Sequence, residues 1–180
     1  MSLRWILHSL HGPERSRLGE WHQELLKKES RGDRAQLRRA ATLEEAALAP
    51  AFYRMLQSLR LPEQDLTPEA LKALAALAMI AARVDTNLSS RRLGLSLGTQ
   101  TGKKDPEVSE ARFRRLLESA DLEERLAILR RLVALIDKTV DLREIAAVLL
   151  DWNADRRRQL AYDYYTGFGP ASDSKEEFPS

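Results

Sequence analysis

A chain of 180 residues with 43% hydrophobic and 31% charged side chains can bury one sizeable core or two small ones, and it is not an intrinsically disordered composition. No apolar run approaches the roughly 20 residues that span a bilayer, and the lack of cysteine excludes disulfides, thiol nucleophiles and thiolate metal sites. Formal net charge is only +2 although 22 of the 29 basic residues are arginine, so any basic surface has to come from arrangement rather than excess.

Taken in chain order, the N-terminus has too short an apolar stretch for a secretory signal, and a cytoplasmic protein is the simplest expectation. Helical spacing follows over 14–29, 33–40, 43–48 and 50–60, with Thr42 and Glu45 placed as a capping box for the third of these. Thr67 and Pro68 open a helix over 68–85 whose stripe is Leu71, Leu74, Leu77, Ala78 and Ala81. From Thr86 to Ser109 come Gly94, Gly98, Gly102, Pro106 and six hydroxylated residues up to Thr101, which predicts a long non-helical stretch. Helices then resume over 110–119, 122–138 and 142–165, the last with a break near Trp152 and Asn153. Asp121 with Glu124, and Asp141 with Glu144, are capping boxes for two of them. Leu122, Leu126, Leu129, Val133 and Ile136 form one stripe; Leu142, Ile145, Leu149 and Trp152 form another.

No segment alternates well enough to be a strand. The expectation is an all-α protein, an elongated helical bundle of about eight helices in two packed halves. Residues 1–90 form the N-terminal half, 91–108 a basic glycine-rich loop, 109–166 the C-terminal half and 167–180 an acidic tail. The last ten residues carry Asp173, Glu176 and Glu177 against Lys175, so the body is more basic than the whole.

Several catalytic patterns are excluded. Gly94 to Gly98 spells a nucleophile elbow around Ser96, but no strand precedes it and His8, His11 and His22 all lie upstream. Gly98 to Lys103 has three residues between its glycines instead of four, and Lys104 follows where a phosphate loop needs Ser or Thr. The histidines complete no ligand set, so no metal and no cofactor are expected. Nothing argues for an enzyme.

The arginines are the informative feature. They stand adjacent at Arg38 and Arg39, Arg91 and Arg92, Arg114 and Arg115, Arg130 and Arg131, and as a triplet at Arg156, Arg157 and Arg158. Arginine's planar fork suits phosphate and stacks on bases. A solvated face laced with ion pairs explains some of them, as with Glu110 and Arg114. Arg38, Arg39 and the triplet lack enough nearby acids for that, and Tyr162, Tyr164 and Tyr165 follow the triplet as candidate stacking partners. Phe52, Phe113 and Trp152 are assigned to the core.

Five strings occur in order: Ala35-Gln-Leu-Arg-Arg39, Pro50-Ala-Phe-Tyr-Arg54, Gly94-Leu-Ser-Leu-Gly98, Leu129-Arg-Arg-Leu132 and Arg156-Arg-Arg-Gln-Leu160. On these the chain resembles the CasB-type small subunit of Cascade, the CRISPR surveillance complex of subtype I-E, over roughly residues 20–165. The resemblance implies a non-enzymatic all-helical subunit, present with a second copy of itself beside other Cascade subunits and crRNA. It also implies non-specific contact with target DNA, above all the displaced single strand of the R-loop. Carried over by position, the strand contacts are Arg39, Arg54, Arg112, Arg131, Arg156, Arg157 and Arg158. Arg91, Arg92, Lys103 and Lys104 follow, and Arg115 completes the set. Arg38 and Arg130, about 100° round the helix from their neighbours, are expected to face a protein neighbour instead. The alternative is a helical scaffold whose arginines serve subunit contacts only.

Overall fold

The computed structural model describes residues 6, 7, 10, 16–89, 91–99 and 106–167. Among them stand ten α-helices: α1 Arg17–Leu26, α2 Arg31–Arg39, α3 Leu43–Leu48, α4 Pro50–Leu59, α5 Pro68–Ala81, α6 Leu93–Gly98, α7 Glu110–Leu117, α8 Leu122–Leu135, α9 Leu142–Leu150 and α10 Ala154–Thr166. The all-α class is as expected. Two more helices exist than the spacing predicts, α6 and the separated α10.

Helix α5 is the centre of the molecule. Every residue from Ala73 to Ala82 is buried, because alanine loses no side-chain entropy in a helix and lets neighbours approach on all sides. Helices α3, α9, α8, α2 and α4 pack round it. Leu126, Leu129, Val133 and Ile136 from α8 and its end, and Leu142, Ile145 and Leu149 from α9, join α5 in one hydrophobic cluster. Phe52 and Phe113 lie in that cluster, with Trp152 half-buried at its edge.

Local signals account for most helix starts. Thr42 accepts from the Glu45 amide at 3.1 Å, and the Glu45 carboxylate reaches back to the Ala41 amide at 2.8 Å. Asp121 and Glu124 repeat this, with Ala120 as the amide behind the cap. The Asp141 box does not form as expected. Asp141 accepts from the Arg143 amide and side chain, while Glu144 turns to the Leu93 amide at 3.3 Å and serves the start of α6 instead. Asn153 caps α10, which is why the break near Trp152 separates two helices.

Two features were hidden from periodicity. Thr86–Asn87 and Thr139–Val140 pair as parallel strands of two residues each, too short to show alternation. They follow α5 and α8, and so tie the ends of those helices together. The stretch from Thr86 to Ser109, expected to be non-helical, contains α6, buried at Leu93, Gly94, Ser96, Leu97 and Gly98. Its glycines are contact residues. A Cβ at Gly94 would stand 2.6 Å from the Leu160 carbonyl oxygen, and one at Gly98 would stand 2.2 Å from that of Tyr164. Four residues apart, they bring α6 against the backbone of α10.

Candidate nucleic-acid interface

The arginines fall into three groups by what their guanidiniums already hold. The first is spent on carboxylates. Arg54 on α4 grips both oxygens of Asp33 on α2, which raises its pKa through the hydrogen bond. Arg92 donates to buried Asp163 at 2.9 Å and its pKa is likewise raised, while Gln159 also donates to that carboxylate at 3.0 Å. Arg158 pairs with Asp155 one turn earlier, and Arg114 reaches Glu118 at 3.9 Å.

The second group is spent on backbone carbonyls. Arg34 donates to Ala82 at 2.9 Å and to Val84 at 3.2 Å, and pairs with Asp85. Arg83 donates to Met79 at 2.7 Å and to the Arg38 carbonyl. Arg130 donates to Ala40 at 3.2 Å. These side chains close the carboxyl ends of α2 and α5, where orphan carbonyls and the helix dipole favour cations. Nothing singles out Arg34 or Arg83 in the sequence except position, in the first turn of one helix and just past the end of a buried alanine-rich one. Arg91 sits with Thr99 at 3.2 Å.

The third group is exposed and has no side-chain partner among the described residues: Arg39, Arg112, Arg115, Arg131 and Arg157 from the expected set, and Arg31, Arg38 and Arg60 outside it. The Arg130–Ala40 bond joins α8 to the end of α2, so Arg39 and Arg131 flank one junction. Arg112 and Arg115 lie on α7, which packs against α8. Arg156 is half-buried, with an Nε that has no acceptor. Lys103 and Lys104 lie outside the described residues, as do His8, His11 and most of the acidic tail.

Two further side chains set the electrostatics of this surface. Arg125 is buried, its guanidinium 4.8 Å from the centroid of Trp152, and burial pulls its pKa down to about 10 with Arg157 adding repulsion. It stays charged at neutral pH, compensated by the ring face and by Asp121. Of the three tyrosines proposed for stacking, Tyr164 is core. Its ring lies on Phe113 at 3.8 Å, its hydroxyl donates to Val108 at 2.7 Å, and burial pushes its pKa up to about 12. Tyr165 bonds Glu110 at 3.0 Å, and Tyr162 is exposed. No group of three or more histidines and carboxylates able to hold a metal exists among the described residues, and no helix there is long and apolar enough to cross a membrane.

Comparison with known proteins gives this arrangement a context. The model of the family described as CRISPR-associated protein Cse2 matches residues 33–165. No curated protein matches the sequence. Among solved structures, the fold is similar to a chain in the crystal structure of E. coli Cascade bound to a PAM-containing dsDNA target with a 32-nt spacer. The TM-score is 0.63 at 24% identity, over 84% of this chain and 93% of that one. The match contains all five strings whole, from Ala35 to Leu160, and Cse2 is the CasB small subunit that those strings resemble. This chain belongs to the Cse2 family of CRISPR-associated proteins.

Proposed function

We propose that this chain is a non-enzymatic small subunit of a crRNA-guided Cascade complex, and that it holds the displaced single strand of target DNA along its exposed arginines. A second copy of itself and the other Cascade subunits are its protein partners. The observation that carries the reading is that, among the described residues of this Cse2-family chain, Arg39, Arg112, Arg115, Arg131 and Arg157 are exposed with no side-chain partner while most other arginines are bonded. Unpaired guanidiniums can neutralise phosphates and release counterions without reading sequence. Arg54, Arg92 and Arg158 would have to share their carboxylate partners with a strand, so they contribute less than the sequence pattern suggests.

The scaffold reading retains one specific support: the many arginines already committed to carbonyls and carboxylates within the chain. Single-strand binding measured against salt separates the two. Each phosphate contact contributes about −0.7 to the slope of log K against log salt for single strands. Changing Arg39, Arg112 and Arg131 together to alanine is expected to flatten that slope by about 2. An unchanged slope and affinity, with loss of assembly into the complex, favours the scaffold.

A further inference from the structure

Arg38, Arg83 and Arg130 lie where α2, the end of α5 and α8 meet. Arg83 donates through Nη1 to the Met79 carbonyl and through Nη2 to the Arg38 carbonyl. Arg130 donates through Nη2 to Ala40 and lies 3.6 Å from the Met79 sulfur. Met79 is thus touched from both sides, which fixes the two guanidiniums near each other. Arg38 adds its own charge at the solvent edge.

No carboxylate among the described residues bonds or ion-pairs with any of the three. Asp85, two residues after Arg83, is held by Arg34 and Lys138. Glu44 and Glu123 line the same groove as Arg130, a space of about 610 Å³, without reaching its guanidinium. The carbonyls do not use up the donors: a guanidinium has five N–H groups, and Arg130 Nε is buried with no acceptor at all. Burial and mutual repulsion together pull the Arg83 pKa down to about 10, and burial lowers that of Arg130. Two partly buried guanidiniums beside a third at the solvent edge, with no carboxylate bonded to them among the described residues, are costly unless an anion joins them.

We propose that Arg38, Arg83 and Arg130 form a seat for a phosphate group. A tetrahedral oxyanion offers oxygens in several directions, matching donors that arrive from α2, α8 and the turn after α5, whereas a carboxylate offers two oxygens in one plane. The phosphate can come from a nucleic-acid backbone or from a free phosphate compound. Only the first source rests on the strand-binding reading above.

The test uses the full chain and inorganic phosphate, followed by calorimetric titration and by thermal unfolding against chloride at equal ionic strength. Phosphate is expected to bind saturably and to raise the unfolding midpoint beyond chloride. Arg38→Gln and Arg83→Gln are each expected to weaken it about tenfold or more, and Arg31→Gln, exposed at the opposite end of α2, to leave it unchanged. Arg38 is exposed and its guanidinium bonds nothing among the described residues, while its carbonyl is kept in any variant, so Arg38→Gln keeps the fold and reads the site even if Arg83→Gln does not fold. Phosphate acting no better than chloride overturns the seat, as do acetate binding as tightly as phosphate and an unchanged affinity in Arg38→Gln. A single-stranded oligonucleotide that displaces the phosphate supports the seat with the backbone as its source. Phosphate that persists beside bound oligonucleotide also supports it, with a free compound as the source. Loss of the salt slope in the arginine-to-alanine experiment above tests strand binding independently of this result.

Discussion

His22, the one histidine among the described residues, shows how a residue that does no chemistry can still set a condition for the fold. Its ring is buried, and Nε2 lies 3.1 Å from the Val84 carbonyl, which also accepts from Arg34. Burial lowers its pKa from the ordinary 6.5, and Arg34 adds to this, while the Val84 and Ala81 carbonyls and Asp85 pull the other way. The native protein therefore holds fewer protons at this site than the unfolded chain as pH falls towards 6.5. The neutral ring's stabilisation is fully present above that value and is lost as pH drops from there through the native pKa. Asp85 acts lower: its hydrogen bond from Arg34 depresses its pKa below 3.8, so its share is lost only below that. The unfolding midpoint of the native chain is expected to fall between pH 7 and pH 5, and His22→Gln, which keeps a donor for Val84, is expected to flatten that fall. Equal slopes in the two proteins would show that His22 is not the titrating group.

At the scale of elements, the α6–α10 contact is where the chain departs most from its own local signals. In an ordinary helix, replacing glycine by alanine stabilises by up to about 1 kcal/mol. Gly32, in the first turn of α2 with nothing within 4 Å of its missing Cβ, is expected to follow that rule. Gly94 and Gly98 are expected to reverse it, because the backbone of α10 already fills the space. Gly94→Ala or Gly98→Ala should cost about 1–3 kcal/mol or more, read as a lower denaturant midpoint beside a raised one for Gly32→Ala. If Gly98→Ala stabilises, the close approach is wrong. The contrast also marks what was legible. Stripes and caps are properties of neighbours in sequence, so α3, α5 and α8 could be read from Thr42, Thr67, Asp121 and their leucines. A glycine reads as a turn until the helix it touches is known, which is why α6 was invisible. The same holds for the arginines: whether Arg39 is free and Arg54 bound depends on Asp33 and on two different helices.

For the whole molecule, the question is whether the two stretches on either side of residues 91–108 behave as separate bodies. Helix α5 belongs to the first stretch, yet α8 and α9 from the second pack on it and share its hydrophobic cluster. The parallel strand pair adds main-chain bonds between them, with the Leu88 amide donating to Val140 at 2.9 Å and the Asn87 side chain accepting from the Leu142 amide at 3.0 Å. Opening one stretch therefore exposes the alanine-rich face of α5, whose burial the other stretch completes. Such coupling makes independent unfolding unfavourable. Full-length protein is expected to unfold in one calorimetric transition, with an enthalpy of about 125 kcal/mol near 60 °C that agrees with the van't Hoff value. Residues 1–108 expressed alone are expected to lack a cooperative transition. Two resolved transitions, or a fragment 1–108 that melts cooperatively, would instead establish two halves that fold on their own. That outcome would also change how the arginines act. In one cooperative body the junction flanked by Arg39 and Arg131 is rigid and would offer both arginines to the proposed strand at fixed spacing, whereas between two independent halves that spacing would have to be set by the strand itself.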